Sequence, residues 1–159
     1  MTARIDVSKY YGSPLIKHLQ SLGREVETAG IDRTLYELVK IRASQINGCA
    51  YCLDMHTKDA RALGETEQRL YAVAAWRDTP FFSERERLAL EWSEELTRLA
   101  GDEHVPQELF QRVSAQFNEA EMVALTFAVI VINSWNRLVA VAKPLVGSYV
   151  SPHAHAAAS

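Results

Sequence analysis

The chain has 159 residues, of which 48% are hydrophobic, and its formal net charge at pH 7 is −3. This length and composition suffice for one compact domain with a hydrophobic core. The slight negative charge and the lack of a basic cluster argue against nucleic-acid binding. The first eight residues lack the apolar region of a secretory signal, so we expect a cytoplasmic protein. The longest apolar run, residues 122–132, is too short to span a bilayer, which argues against a membrane partner.

Helix-forming patterns follow one another along the chain, and no stretch shows the sustained period of two that is typical of strands. The predicted fold class is therefore all-α, with an N-terminal arm at 1–12, a single helical domain at 13–150 and a tail at 151–159 that we expect to be disordered. Capping residues, turns and apolar spacing predict helices at about 13–22, 32–46, 49–63, 66–75, 83–100, 106–116 and 119–142. The second of these begins at either Asp32 or Thr34.

The last predicted helix is apolar on all sides from Met122 to Ile132. A monomer of this size could scarcely bury such a helix, so we expect core packing on one side and a subunit interface on another. Oligomerisation would then complete the packing of the domain. Trp135, Asn136 and Arg137 follow directly, and two roles stay open for them: anchoring the helix end or interface, or lining a substrate entrance.

The only two cysteines, Cys49 and Cys52, are three residues apart, and His56 lies four residues beyond Cys52. On one continuous helix these three side chains project from one face. Asn47-Gly48 is a turn dipeptide that can supply the helix N-cap, so we expect the cysteines in the first helical turns. Unpaired amides and the helix dipole favour a thiolate there. Because a thiolate attacks peroxides or disulfides and His56 can accept its proton, the stretch predicts a redox site with Cys52 as the activated sulfur.

A disulfide between Cys49 and Cys52 would require local distortion of a regular helix. Cβ atoms three residues apart on a helix are about 5–6 Å apart, whereas a relaxed disulfide requires roughly 3.5–4.5 Å. Strained disulfides are reduced more easily, which suits a pair that cycles between two redox states.

Glu37 lies about ten residues before the turn and His56 about eight residues after it. At about 1.5 Å of rise per residue, the two side chains lie at similar heights in a helical hairpin. A carboxylate facing an imidazole orients it and raises its basicity. We therefore predict that Glu37, His56 and Cys52 form a proton relay, with Cys49 as the resolving thiol.

Simpler interpretations of the same residues stay open. Glu37 fits the last position of a capping box that begins at Thr34, which would not forbid the relay. His56 could be a solvated helix histidine, and the cysteines could be small core residues. A zinc ion could bind Cys49, Cys52 and His56, but no nearby fourth ligand is evident. We predict no metal and no cofactor, since no motif for flavin or nicotinamide binding is present.

The spacing of Glu37, Cys49, Cys52 and His56 resembles the alkylhydroperoxidase D-like branch of the carboxymuconolactone decarboxylase superfamily. The sequences before the cysteines and near the end of the chain are similar to that branch as well. These two flanking sequences are residues 38–48 and 132–138. The resemblance covers roughly residues 15–145 and implies a homo-oligomer, either a trimer or a hexamer.

The resemblance implies that Cys52 is the peroxidatic cysteine, which is oxidised to a sulfenic acid. It implies that Cys49 donates a proton and then resolves the sulfenic acid to the disulfide, and that Glu37 and His56 activate the thiol. Tyr51 departs from the best-known pattern, which has a histidine between the cysteines. A phenol can form a hydrogen bond but is not cationic at neutral pH.

Three functions are compatible with the sequence. The leading one is a thiol peroxidase, in which Cys52 attacks a hydroperoxide and an external dithiol reduces the Cys49–Cys52 disulfide. The resemblance implies a lipoyl-bearing or thioredoxin-like protein as that reductant. The second is an oligomeric redox sensor or thiol-exchange protein. The third is a decarboxylase or lactone enzyme of the same superfamily, which would not need the cysteine pair.

Overall fold

The computed structural model describes residues 2–100, 102 and 104–153. This part of the chain is helical throughout and contains no strand, which confirms the all-α fold class. The helices are α1 (Pro14–Glu27), α2 (Arg33–Ile46), α3 (Ala50–Ala62), α4 (Glu67–Ala72), α5 (Glu84–Arg98), α6 (Gln107–Ser114) and α7 (Glu119–Ala142). Two short 3-10 helices, Val7–Tyr10 and Val73–Asp78, precede α1 and follow α4.

Local side-chain caps determine where several of these helices begin. The Ser13 side chain accepts the backbone N–H of Ile16 at the start of α1. A capping box formed by Ser83 and Glu86 opens α5, and Asn118 with its own capping box opens α7. These caps satisfy backbone donors that have no partner inside the helix. The predicted starts at Ser13, Ser83 and Asn118 are confirmed.

The predicted end of α1 near Leu22 is wrong, because the helix continues to Glu27. Gly23 lies inside the helix, and a Cβ atom at this position would be 3.7 Å from Cγ1 of Val131 on α7. Glycine costs about 1 kcal/mol in a helix interior relative to alanine. A methyl group there would make an ordinary van der Waals contact, so Gly23 is compatible with the helix interior and does not end α1.

Three other predicted ends differ by a few residues. The helix predicted to reach Ala75 ends at Ala72 and continues as a 3-10 helix, in which Ala75 has non-helical φ/ψ values. Helix α5 ends two residues early because Leu99 adopts the left-handed conformation, with φ of 45°. Helix α6 also ends two residues early, at Ser114.

Helix α2 is the centre of the domain and packs against α3, α5 and α7. Most of its residues are buried, including the charged Glu37 and Lys40. The larger core lies between α1, α2, α5, α6 and α7, and a second core lies between α2, α3, α5 and the 3-10 helix after α4. Because α2 is surrounded on several sides, its charged side chains must find partners inside the protein.

Helix α7 is long and apolar enough, by length and composition alone, to cross a membrane. Half of its most apolar part is buried in the domain. Its buried side carries Asn133 and Asn136, which form hydrogen bonds with other helices. Its other side exposes Val123, Phe127 and Ile130. Buried polar side chains and packing against α1, α2 and α5 are typical of a core helix in a soluble protein.

Both termini of the described chain lie against the helical domain. The backbone N–H groups of Arg4 and Ile5 donate to the carbonyl of Ala142, and the predicted arm contains a short 3-10 helix. In the predicted tail, Ser151 is buried and His153 Nε2 lies 3.3 Å from an Arg33 nitrogen. The rest of that predicted tail, residues 154–159, lies outside the described residues.

Candidate active site

The turn between α2 and α3 places Cys49 just outside the helix that carries Cys52. Asn47 ends α2, and Gly48 adopts a left-handed conformation (φ of 63°) that favours glycine. Cys49 itself is the N-cap of α3, with non-helical φ and ψ values of −86° and 89°. The prediction that Asn47-Gly48 caps this helix is therefore wrong by one residue.

Cys49 and Cys52 are joined by a disulfide whose Cα atoms are 5.4 Å apart. This separation is within the range of ordinary disulfides. The disulfide does not join two residues of one regular helix, because Cys49 departs from helical φ and ψ values and lies before the first helical residue.

The two sulfurs have different surroundings. Cys49 Sγ accepts the backbone N–H of Cys52 at 3.4 Å, so the positive end of the α3 dipole acts on the Cys49 sulfur. Cys52 is 1% exposed and lines a cavity together with His56. The helix end thus favours negative charge on Cys49, whereas Cys52 is the sulfur that shares the cavity with His56.

Glu37 and His56 form a buried hydrogen bond across the α2–α3 hairpin. Glu37 Oε2 lies 3.1 Å from His56 Nδ1, and Glu37 Oε1 accepts a hydrogen bond from Lys40 Nζ at 2.6 Å. The expected juxtaposition of Glu37 and His56 is confirmed. Asp32 caps α2 by accepting the N–H groups of Thr34 and Leu35, so Glu37 does not belong to a capping box.

Burial and neighbouring charges set the protonation of this pair. Burial lowers the pKa of His56 below its ordinary value, and the nearby Lys40 cation lowers it further, although Glu37 and Asp59 oppose the shift. Burial raises the pKa of Glu37, but hydrogen bonding to His56 and the Lys40 charge outweigh burial and leave that pKa lowered. At neutral pH the pair is therefore a carboxylate and a neutral imidazole. Nδ1 of His56 donates to Glu37, and Nε2 is left as the basic nitrogen.

Asp59 and Tyr149 extend this polar centre, and the sequence interpretation missed both. Asp59 Oδ2 lies 4.0 Å from His56 Nδ1. The Tyr149 hydroxyl donates to Asp59 Oδ1 at 2.8 Å and lies 3.1 Å from Oδ2. Asp59 could have been found, because it follows His56 by three residues and so shares its helix face. Tyr149 carries no such signal, since it comes from the segment after α7.

A cavity of about 400 Å³ opens beside Cys52 and His56. Its walls are mainly apolar and aromatic, and they come from the N-terminal arm, α1, α2, α3 and α7. Representative lining residues are Tyr11, Tyr36, Tyr51, Met55, Trp135, Leu138 and Val139. The polar side chains Gln20, Arg24, Glu27 and Lys40 also contribute to its surface. A cavity of this size admits a small organic molecule with substantial apolar surface.

Hydrogen bonds between amides fix the cysteine turn to α7. Asn47 Nδ2 donates to Asn133 Oδ1 at 2.9 Å and to Asn136 Oδ1 at 2.8 Å. Asn136 Nδ2 donates to Ser44 Oγ, and Arg137 donates to Asn133. The two roles left open for residues 135–137 are divided: Asn136 anchors the helix to the end of α2, Arg137 bonds within α7, and Trp135 lines the cavity.

Among the described residues, Glu37, His56 and Asp59 form the group whose ligand atoms are close enough for a metal ion, within 4.8 Å of one another. This group differs from the zinc alternative, which used the two cysteines. The Lys40 ammonium already binds Glu37, and the Tyr149 hydroxyl already binds Asp59. A cation would have to displace or oppose these donors.

Comparison with known proteins places this site in a family. The model of the carboxymuconolactone decarboxylase family matches residues 17–95, which include α2, the cysteine turn and α3. The uncharacterized protein YdfG of Bacillus subtilis (strain 168) is 46% identical over 123 residues, or 77% of this chain and 83% of YdfG. The chain belongs to the carboxymuconolactone decarboxylase family.

Solved structures agree with this assignment. A protein of unknown function from Agrobacterium tumefaciens, suggested to be the antioxidant defence protein AhpD, is 33% identical with a TM-score of 0.86. The match covers 93% of this chain and all of that chain. The debrominase Bmp8, in complex with 2,3,4-tribromopyrrole, has a TM-score of 0.78 at 16% identity, with coverage of 94% and 78%. At that identity Bmp8 supports the fold alone. Together with the family match, the AhpD-like neighbour supports the alkylhydroperoxidase D-like relationship.

Proposed function

We propose that this family member is a thiol-dependent peroxidase that reduces organic hydroperoxides. The observation that carries the proposal is a Cys49–Cys52 disulfide next to a buried Glu37–His56 pair, with Cys52 and His56 on one cavity. A redox-active cysteine needs a base for its proton, a second thiol and space for the substrate. All three requirements have a candidate at this site.

In the proposed cycle, the Cys52 thiolate attacks the terminal oxygen of the hydroperoxide and breaks the O–O bond. The products are a Cys52 sulfenic acid and, after proton transfer, an alcohol. The Cys49 thiol then attacks the sulfenic sulfur, which forms the disulfide and releases water. An external dithiol reduces the disulfide and is itself oxidised, so each turnover consumes one hydroperoxide and one dithiol.

Glu37 and His56 supply the proton transfers of this cycle. Neutral His56 has Nε2 free to take the Cys52 proton, and Glu37 stabilises the imidazolium that results. The imidazolium then returns the proton to the alkoxide that leaves. The helix end at Cys49 stabilises its thiolate, which helps Cys49 to act as nucleophile toward the sulfenic acid and as leaving group during reduction.

The partners follow from the same proposal. The apolar and aromatic cavity favours an organic hydroperoxide over hydrogen peroxide. The reductant is a dithiol, with a lipoyl-bearing or thioredoxin-like protein as the candidates. We propose a cytoplasmic homo-oligomer, either a trimer or a hexamer, in which the exposed Val123, Phe127 and Ile130 of α7 lie at the interface.

Turnover with defined small molecules tests the proposal. Consumption of cumene hydroperoxide is measured with dihydrolipoamide as the reductant, for the wild type and for the Cys49→Ser/Cys52→Ser double variant. The proposal predicts sustained turnover by the wild type and none above background by the variant. Equal consumption by both proteins would contradict it and would favour family chemistry that does not use the cysteines.

A redox sensor is the second candidate, and one packing feature favours it. Cys49 and Cys52 pack in one cluster with Ala43 and with Ile132 of α7. A change of the disulfide could therefore reach the exposed apolar side of the same helix. Light scattering of oxidised and reduced protein tests this candidate. A redox-dependent change of mass, together with no sustained peroxide turnover, would favour the sensor over the peroxidase.

A further inference from the structure

The chain after α7 returns to the helix that carries Cys52 and His56. Lys58 Nζ on α3 donates to the carbonyl of Tyr149 at 3.0 Å, and the N–H of Gly147 donates to Asp54 Oδ2 at 3.2 Å. Lys58 and Asp54 also form an ion pair with each other. The C-terminal segment, residues 144–153, is thus attached to the outer side of α3 by backbone groups on either side of residue 148.

This attachment directs the Tyr149 side chain inward, onto Asp59. The hydroxyl donates to Asp59 Oδ1 at 2.8 Å, and Asp59 is 7% exposed. Within the described residues, Tyr149 is the one hydrogen-bond donor to this buried carboxylate. Asp59 Oδ2 lies 4.0 Å from His56 Nδ1, the same nitrogen that contacts Glu37. The His56 ring nitrogen therefore faces two carboxylates, and the second of them is held by the C-terminal segment.

We propose that Tyr149 is a positioning residue for the redox site, which acts through Asp59 to set the protonation of His56. The inference rests on the proposed function for its catalytic meaning, but the coupling of Tyr149, Asp59 and His56 can be measured without any peroxide. It extends the site from the α2–α3 hairpin to a segment that lies outside the residues matched by the family model.

Every charged neighbour of His56 has a defined effect in this arrangement. On α2, Glu37 opposes and Lys40 favours loss of the imidazolium proton, and on α3 the Asp59 charge opposes that loss. Without the Tyr149 hydroxyl, the buried Asp59 carboxylate would lack its donor. A carboxylate that lacks its donor interacts more strongly with the neighbouring imidazole, which changes the protonation of His56.

The experiment is a pH titration of the His56 imidazole by NMR in the reduced full-length protein, with the resonance assigned from His56→Gln. Four proteins are compared: wild type, Tyr149→Phe, Asp59→Asn and the Tyr149→Phe/Asp59→Asn double variant. Tyr71→Phe is the matched control, since it removes a hydroxyl that bonds to Glu67 on the surface. Circular dichroism melting curves identify any variant that does not fold.

The proposal predicts that Asp59→Asn lowers the pKa of His56, because a neighbouring negative charge is removed. Tyr149→Phe moves that pKa by more than Tyr71→Phe does, and adding Tyr149→Phe to Asp59→Asn has no further effect. A His56 titration that is the same in Tyr149→Phe and wild type would overturn the proposal. So would an equal effect of Tyr149→Phe with and without Asp59, because Tyr149 would then not act through that carboxylate.

Peroxide assays separate this inference from the proposed function. If the wild type reduces no hydroperoxide but the NMR coupling is present, the peroxidase proposal fails and the positioning role stands. If the wild type is active, the acid side of the pH–rate profile should move in Tyr149→Phe and stay in place in Tyr71→Phe. An active enzyme with identical profiles for all three proteins would contradict the positioning role alone.

Discussion

Two buried glutamates in this domain have opposite surroundings, and the difference indicates which of them can take part in catalysis. Glu94 on α5 accepts hydrogen bonds from Arg42, Arg77, Arg98 and the Trp76 indole. A guanidinium stays charged at every accessible pH and an indole N–H is not a base, so none of the donors around Glu94 can accept a proton. Glu94 therefore stabilises the packing of α2, α5 and the 3-10 helix after α4.

Glu37 on α2 is equally buried, but its partners are the imidazole of His56 and the amine of Lys40. The imidazole can take up and release a proton. His56 and Lys40 also line the cavity next to Cys52. A buried carboxylate is thus a structural element where arginines surround it. It is a candidate for proton transfer where a histidine beside a cysteine is its partner.

The largest expected effect is on stability, from Glu94→Gln. Burial raises the pKa of Glu94, but hydrogen bonds from Trp76, Arg77 and Arg42 outweigh it and lower the pKa to about 2, from an ordinary value of 4.5. A lowered pKa stabilises the fold above pH 4.5, by about 3 kcal/mol, and this contribution is lost as the pH falls toward 2. Urea unfolding at pH 7 should show a loss of about 3 kcal/mol in Glu94→Gln. The same experiment at pH 3 should show a smaller difference from wild type; equal losses at both pH values would contradict the role of the Glu94 charge.

Glu37→Gln should instead affect catalysis. We expect the rate of Cys52 oxidation by cumene hydroperoxide to fall about 100-fold, because the imidazolium loses its carboxylate partner. Stability should fall less than in Glu94→Gln, since Glu94→Gln leaves three arginines without their carboxylate, whereas Glu37→Gln leaves one lysine. Stopped-flow oxidation and urea unfolding of both variants check this contrast. A Glu37→Gln protein with a normal oxidation rate would remove Glu37 from the relay.

Sequence reasoning predicted Glu37, His56 and the cysteine pair because their spacing follows from helix geometry alone. The all-α fold and the start of α7 at Asn118 were predictable for the same reason, since caps and apolar spacing are local signals. Glu94 gave no signal, because its partners come from α2, the 3-10 helix and its own helix. Interactions between distant segments depend on how the helices pack, which a single sequence does not specify. Tyr149 was missed for this reason as well.

The predicted helix boundaries were wrong at the end of α1 and at the start of α3. Helix α1 was predicted to end near Leu22, but Gly23 lies inside the helix, which continues to Glu27. The predicted N-cap of α3 was one residue too early. The Cys49 sulfur itself caps this helix, a role that hydroxyl and amide side chains usually fill.

A smaller effect is expected from Lys40→Met. The Lys40 charge lowers the pKa of His56, so its removal should raise that pKa and move the acid side of the pH–rate profile to higher pH. At pH 6 we expect oxidation to slow by roughly fivefold, with little change at pH 8. Stopped-flow rates from pH 5 to pH 9 measure this shift. A profile that moves to lower pH would contradict the charge assignment at the site.

The smallest effect is expected from Tyr51→Phe. Tyr51 lines the cavity, and burial raises the pKa of its hydroxyl, so it remains a neutral donor. Loss of one neutral hydrogen bond to the substrate costs about 1 kcal/mol, which corresponds to about a fivefold lower kcat/KM. Steady-state kinetics with cumene hydroperoxide check this value. An unchanged kcat/KM would show that the phenol does not contact the hydroperoxide.

Mass spectrometry of the reduced protein after one equivalent of cumene hydroperoxide tests the central claim most directly. Wild type, Cys49→Ser and Cys52→Ser are compared side by side. The proposed roles predict loss of two hydrogens by the wild type, a trapped sulfenic acid in Cys49→Ser and no reaction in Cys52→Ser. A sulfenic acid in Cys52→Ser, with Cys49→Ser inert, would reverse the assignment of the two cysteines. Three inert proteins would contradict a peroxide site at this cysteine pair.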